Sequence, residues 1–148
     1  MRSILVDTGF WFALLGTRQD ELKPIAEKIF ERIKQNQDTL IIPFPTLYET
    51  VNTKLLRDKN KAAADWFLAQ LNTNPLFLKV YDDDYRDDAF AITCSIRNRG
   101  ISLVDNILRV MMDDDSRKID ALITFNAGDF VDVCTRRGID LIDQKISL

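Results

Sequence analysis

The chain contains no histidine at all. That absence excludes Ser-His-Asp and Cys-His catalysis, histidine proton shuttling and every zinc site that uses imidazole. Cysteine is nearly absent too: Cys94 and Cys134 stand far apart in the sequence. They support neither a disulfide framework nor a zinc site. Both fall in runs that read as helices, and the expectation is a pair of buried, reduced core thiols in a cytoplasmic protein. Long hydrophobic runs are missing as well. The apolar start MRSILVDTGFWFALLG is interrupted by Asp7, and no small-residue cleavage site follows it. A signal peptide is therefore not expected. No segment approaches the roughly eighteen uninterrupted apolar residues of a membrane span, and no repeat, low-complexity tract or linker divides the chain. Positive charge is not in excess either, since the formal net charge is -3. This argues against a strongly basic nucleic-acid surface. It remains compatible with a site that concentrates carboxylates and relies on bound cations to attract phosphate.

What is present reads as one domain spanning residues 1-148, large enough to bury its own core. Ile4-Leu5-Val6 is a short apolar run ended by the turn signal Asp7-Thr8-Gly9, so it predicts a strand buried on both faces. A short helix is expected over Phe10 to Leu15. Leu22, Ile25, Ala26, Ile29, Phe30 and Ile33 recur at helical spacing and predict an amphipathic helix over about 21-36. Leu40-Ile41-Ile42 predicts a second buried strand, stopped by Pro43. A helix with Leu47, Val51 and Leu55 on one stripe should follow. Asn60 is placed to cap another helix, with Ala63, Trp66, Phe67 and Leu71 inward. A strand is expected over 76-81, a helix from Asp82 to about Asn98 and a helix from Ser102 to about Met112. The last elements are a strand at 121-124, a short helix over 128-137 stopped by Gly138, and a strand at 139-142. Strands separated by helices imply parallel crossovers. The expected architecture is α/β, a roughly five-stranded, mostly parallel sheet between helical layers. Ligands in such sheets sit outside the carboxyl ends of the strands, where Asp7 and Thr124 both fall.

Four acids occupy unusually apolar or strand-end settings: Asp7 after ILV, Glu49 in PTLYETV, Asp105 in ISLVDNIL and Asp129 in LITFNAGDF. Each has a purely structural explanation. Asp7 fits a helix N-cap, while Thr46-x-x-Glu49, Ser102-x-x-Asp105 and Asn126-x-x-Asp129 all match a capping box. Capping explains an acid in a first turn, but not why four such acids should meet. In a parallel sheet all four project from one rim, where like charges cost stability unless cations offset them. Magnesium or manganese, held by oxygen ligands, is the natural counterion for a histidine-free site. Such ions activate water and stabilise the leaving oxygen of a phosphodiester.

The order ILVDTGFW, PTLYETV, SLVDNIL and LITFNAGDF resembles the PIN-domain family, especially the VapC-type toxins of bacterial toxin-antitoxin pairs. The resemblance runs from Ile4 to Ile142. It implies a three-layer α/β/α domain with a magnesium- or manganese-dependent endoribonuclease site, an RNA substrate, an antitoxin partner and a homodimer. Carried over by position, Asp7, Glu49 and Asp105 match the family's three core metal-binding acids. The fourth position varies in the family: Asn126 stands here where some members have Asp, and Asp129 is assigned as fourth acid. Thr8 and Thr124 match small hydroxyl residues lining such a site, and Asn126 is their neutral polar neighbour. The Asn126 departure keeps a second reading open, a catalytically silent PIN-like module that binds RNA or protein. A haloacid-dehalogenase-type phosphohydrolase needs a further acid two residues after Asp7, where this chain has Gly9.

The remaining features have ordinary readings beside functional ones. Phe10-Trp11-Phe12 reads as core packing, or as an aromatic wall beside the site or a partner surface. Arg97, Arg99 and Arg109 read as solvated helix faces or as phosphate contacts. Asp113-Asp114-Asp115 lacks the spacing of an EF-hand loop and reads as a solvated helix end or loop.

Overall fold

The computed structural model describes residues 1-16 and 21-145. Strand β1 (Ser3–Val6) is followed by α1 (Thr8–Leu15), α2 (Leu22–Asn36), β2 (Thr39–Pro43) and α3 (Phe44–Tyr48). The last continues without a break as a π-wound segment, Glu49–Leu56. Next come α4 (Lys61–Thr73), β3 (Phe77–Val80), α5 (Arg86–Cys94), α6 (Leu103–Met112) and β4 (Ala121–Ile123). A single 3-10 turn (Ala127–Asp129), α7 (Val131–Arg137) and β5 (Asp140–Ile142) complete the order.

The five strands form one sheet in the order β3-β2-β1-β4-β5, and every pairing is parallel. Side chains alternate across it, as a period of two requires. Ile4, Val6, Leu40, Ile42, Ala121 and Ile123 face α1 to α4, whereas Leu5, Ile41 and Leu122 face α5, α6 and α7. Both faces are therefore covered, which is why the strands read as unbroken apolar runs. On the first face Trp11 is fully buried against Phe10, Phe67 and Phe77 at centroid separations of 4.9 to 5.5 Å. The aromatic run of α1 is thus core at Phe10 and Trp11, and only Phe12 is partly exposed.

Four sequence expectations need correction. Cys134 is buried, and burial pushes its thiol up to about 11, but Cys94 is exposed because it ends α5 on the solvent side. Helix α5 is shorter than the expected 82-98. Asp82 is buried with its carboxylate held by Arg86, forming the turn before the helix. At the other end Asn98 donates to the carbonyls of Thr93 and Ile101, so its side chain bridges a turn and does not extend the helix. On α4 the inward stripe is Ala64, Phe67 and Leu71. Trp66 lies at its margin against Phe30 and Phe77, and Ala63 is only partly buried. Finally, Thr46 is no N-cap. Its hydroxyl donates to the Pro43 carbonyl inside a helix that has already begun at Phe44, so the capping explanation for Glu49 fails. The spacing of Leu47, Val51 and Leu55, all buried, suits the wider winding that starts at Glu49.

Candidate active site

Strand order reverses at β1: the chain steps to β2 and β3 on one side, then returns to place β4 on the other. The carboxyl ends of β1 and β4 flank that switch point, where a parallel sheet opens a crevice. Val6 is in register with Ile123, so the next residues, Asp7 and Thr124, meet across the crevice. The Thr124 hydroxyl donates to Asp7 Oδ2 at 2.8 Å. Asp7 Oδ1 accepts the Thr8 backbone N–H, also at 2.8 Å, and Asp7 is the N-cap of α1. The capping and site readings of Asp7 are therefore compatible: the cap fixes the carboxylate at the rim.

From Asp7 a hydrogen-bond chain runs both ways along the rim. Toward β2, the Thr8 hydroxyl donates to Glu49 Oε1 at 2.8 Å, tying α1 to the first residue of the π-wound segment. Toward β5, the Thr124 hydroxyl accepts the Asn126 backbone N–H at 3.0 Å, and Asn126 Nδ2 donates to Asp129 Oδ2 at 2.6 Å. Thus Thr8, Thr124 and Asn126 link three of the four acids. Asn126 caps nothing with its side chain; that side chain goes to Asp129.

Asp105 enters from α6, on the other helical layer. Ser102 is the N-cap of this helix, and its hydroxyl accepts the Asp105 N–H at 3.1 Å. The carboxyl of Asp105 is pushed up to about 7, first by burial, then by the charges of Asp7, Asp129 and Glu49. Asp7 is raised as well. Burial is again the largest cause, opposed by the bonds from Thr124 and Thr8 and increased by Glu49 and Asp129. The four acids therefore share one electrostatic environment. Among the described residues, no three of them are gathered as a ready-made ligand set. Their donor chemistry is nonetheless that of a hard divalent cation: carboxylate oxygens only, with threonine hydroxyls beside them.

Arg109, expected as a solvated helix face or a phosphate contact, instead ties two elements together. It is one turn beyond Asp105 on α6, and its guanidinium grips both carboxylate oxygens of Asp132 at 2.7 and 2.8 Å. It also donates to the Asp129 carbonyl at 2.6 Å, so it ties α6 to the turn that carries Asp129. Asp132 is held well below the usual carboxylate range by this contact. The signal in sequence was an arginine four residues after a candidate acid, which is common on any helix. Arg99 approaches the same Asp132 at 3.8 Å. The acidic run 113-115 is taken up by cations and hydroxyls: Arg136 pairs with Asp113, Tyr85 and Ser116 donate to Asp114, and Arg137 pairs with Asp115.

No family model and no curated protein matches the sequence. Among solved structures, the chain is similar to VapC20 of Mycobacterium tuberculosis, a sarcin-ricin loop cleaving toxin, with a TM-score of 0.68. The two are 21% identical over 87% of this chain and 94% of that one. At that identity the likeness concerns the fold, and the fold is the PIN-like α/β arrangement of VapC, with its five-stranded parallel sheet.

Proposed function

We propose that this protein is a magnesium- or manganese-dependent endoribonuclease and the toxin of a toxin-antitoxin pair. The observation that carries the reading is that Asp105 feels the charges of Asp7, Asp129 and Glu49, acids from four separate segments around the switch point of the sheet. Capping accounts for the placement of Asp7 but not for a Glu49 bonded to Thr8, nor for like charges concentrated where they raise the proton affinity of Asp7 and Asp105. The similarity to VapC20 in fold adds support.

In this reading Asp7, Glu49, Asp105 and Asp129 would hold the cation through carboxylate oxygens. Thr8 and Thr124 orient Glu49 and Asp7, and Asn126 orients Asp129. A bound divalent ion supplies a water nucleophile at neutral pH and charge neutralisation for in-line attack on a phosphodiester. The cytoplasm, an antitoxin partner and a homodimer belong to the same proposal. Among the described residues no helix is long and apolar enough to cross a membrane. Light scattering at about the tens-of-micromolar concentrations of a weak dimer should give twice the chain mass, and a monomer there would contradict the dimer.

The test is incubation of end-labelled single-stranded RNA with manganese or magnesium. Defined fragments are expected, and none should form with a chelator. RNA binding without cleavage under any divalent ion would favour the silent module instead. The fourth position is tested in the same assay. Asp129→Asn should reduce cleavage more than Asn126→Ala, because only the acid adds charge to the site. The reverse ranking would move the fourth ligand to Asn126.

A further inference from the structure

The rim does not end at Glu49. Continuing from β1 across β2 to β3, the residues leaving the strands are Phe44, which follows Pro43, and Tyr81, which follows Val80. Pro43 and Val80 are in register, so the two aromatics leave adjacent strands side by side. Their rings stack at 4.8 Å between centroids with only 15° between planes. Tyr48, immediately before Glu49, adds a third ring 5.9 Å from Phe44. Phe44 is half-buried and anchored to the core, whereas Tyr48 is 57% and Tyr81 71% exposed. Large rings held in order yet open to water are unusual, because aromatic surface is normally buried. Neither tyrosine hydroxyl has a hydrogen bond among the described residues that would account for its position. Tyr81 lies two strand spacings from Asp7, about 10 Å across the sheet, on the order of two or three stacked nucleotides.

We propose that Phe44, Tyr48 and Tyr81 form a stacking platform for unpaired bases of an RNA strand whose scissile phosphate lies at the four acids. The proposal rests on the ribonuclease reading and extends it to the form of the substrate. Single-stranded segments and loops present bases with free faces, and aromatic side chains hold such bases with little regard to sequence. The three rings are themselves uncharged, and Arg86 pairs with Asp82 and Asp83, two of the three acids that follow Tyr81. A strand lying on the rings runs directly toward Glu49 and Asp7. Duplex RNA keeps its bases stacked internally and has nothing to offer these rings. Tyr81 and Tyr48 are positioning residues here, acting on bases that flank the reacting phosphate.

The test is a binding titration of a short single-stranded RNA containing 2-aminopurine, performed with magnesium on a phosphorothioate backbone so that the ion is present and cleavage is suppressed. Stacking should quench the fluorescence on the wild-type protein. Tyr81→Ala should weaken binding about tenfold, the effect of losing one base-aromatic stack, and should diminish the quench. Tyr81→Phe, which keeps the ring and loses only the hydroxyl, should bind within about twofold of wild type. A paired duplex of the same sequence should bind weakly to all three. In cleavage assays the same loss should appear in KM for RNA, with kcat within about twofold of wild type. Wild-type affinity and quench in both Tyr81→Ala and Tyr48→Ala would overturn the platform, whatever the cleavage assay shows. So would an unchanged RNA affinity accompanied by a change in oligomeric state, which would make the rings a contact between copies. Cleavage by wild type with an unchanged KM in the variants removes the platform and leaves the ribonuclease reading intact. If wild type cleaves no RNA, the ribonuclease reading falls, and the platform with it.

Discussion

Asp7→Asn is expected to reduce RNA cleavage about 100- to 1,000-fold, the several kcal/mol of transition-state stabilisation that a divalent ion supplies. The substitution isolates charge from shape. Asparagine can still cap α1 by accepting the Thr8 N–H, and its amide can donate to the Thr124 hydroxyl that now bonds to Asp7. Removing a largely buried negative charge also relieves repulsion from Glu49 and Asp129. The variant should therefore fold with a melting temperature at or above that of wild type, so lost activity cannot be attributed to lost structure. Equal cleavage rates in a well-folded Asp7→Asn protein would remove Asp7 from the active site and leave it as a helix cap.

Asp105→Asn is expected to stabilise the metal-free protein and to flatten its dependence on pH. The Asp105 carboxyl sits at about 7 in the folded state against an ordinary value of 3.8. The folded chain therefore holds a proton there that the unfolded chain gives up between these values. By linkage, the unfolding free energy falls as pH rises from about 4 to about 7 and is level above that. Asp105 is only partly buried, so solvent screening reduces the effect to about 1–2 kcal/mol at neutral pH. The matching rise in melting temperature is about 2–8 °C for a domain of this size. At pH 4 the two proteins should melt together. If Asp105→Asn melts lower than wild type at pH 7, Asp105 contributes as a cap and the charge cluster does not govern its role.

The fold was legible because the strands are short, apolar and bounded by turn signals, and because both sheet faces are covered. Ile4–Val6, Leu40–Ile42 and Ala121–Ile123 carry no alternation to misread. Asp7 and Thr124 were legible as strand-end residues of the rim for the same reason. Errors arose where side chains compete with backbone pattern. Asn98 closes a turn that periodicity continues as helix, and Thr46 matches a capping box while lying inside its helix. Arg109 was missed because its partner, Asp132, is 23 residues away and on another helix. The chain of bonds from Glu49 through Thr8, Asp7, Thr124 and Asn126 to Asp129 was beyond sequence, since it depends on the register of β1 with β4. The stacked Phe44 and Tyr81 likewise depend on the pairing of β2 with β3.

Binding of manganese to the wild-type protein, measured by calorimetry and by thermal melting in the same buffer, tests the central claim that these four acids form a divalent-cation site. An ion that binds only the folded state stabilises it by about 2.7 kcal/mol at a hundred times its dissociation constant. Saturable binding is expected, with a rise in melting temperature of about 5–10 °C and a much smaller rise for sodium at equal ionic strength because screening is not coordination. Asp7→Asn should lose most of both signals. No heat of binding and no shift beyond that given by sodium would mean that the four acids hold no divalent ion.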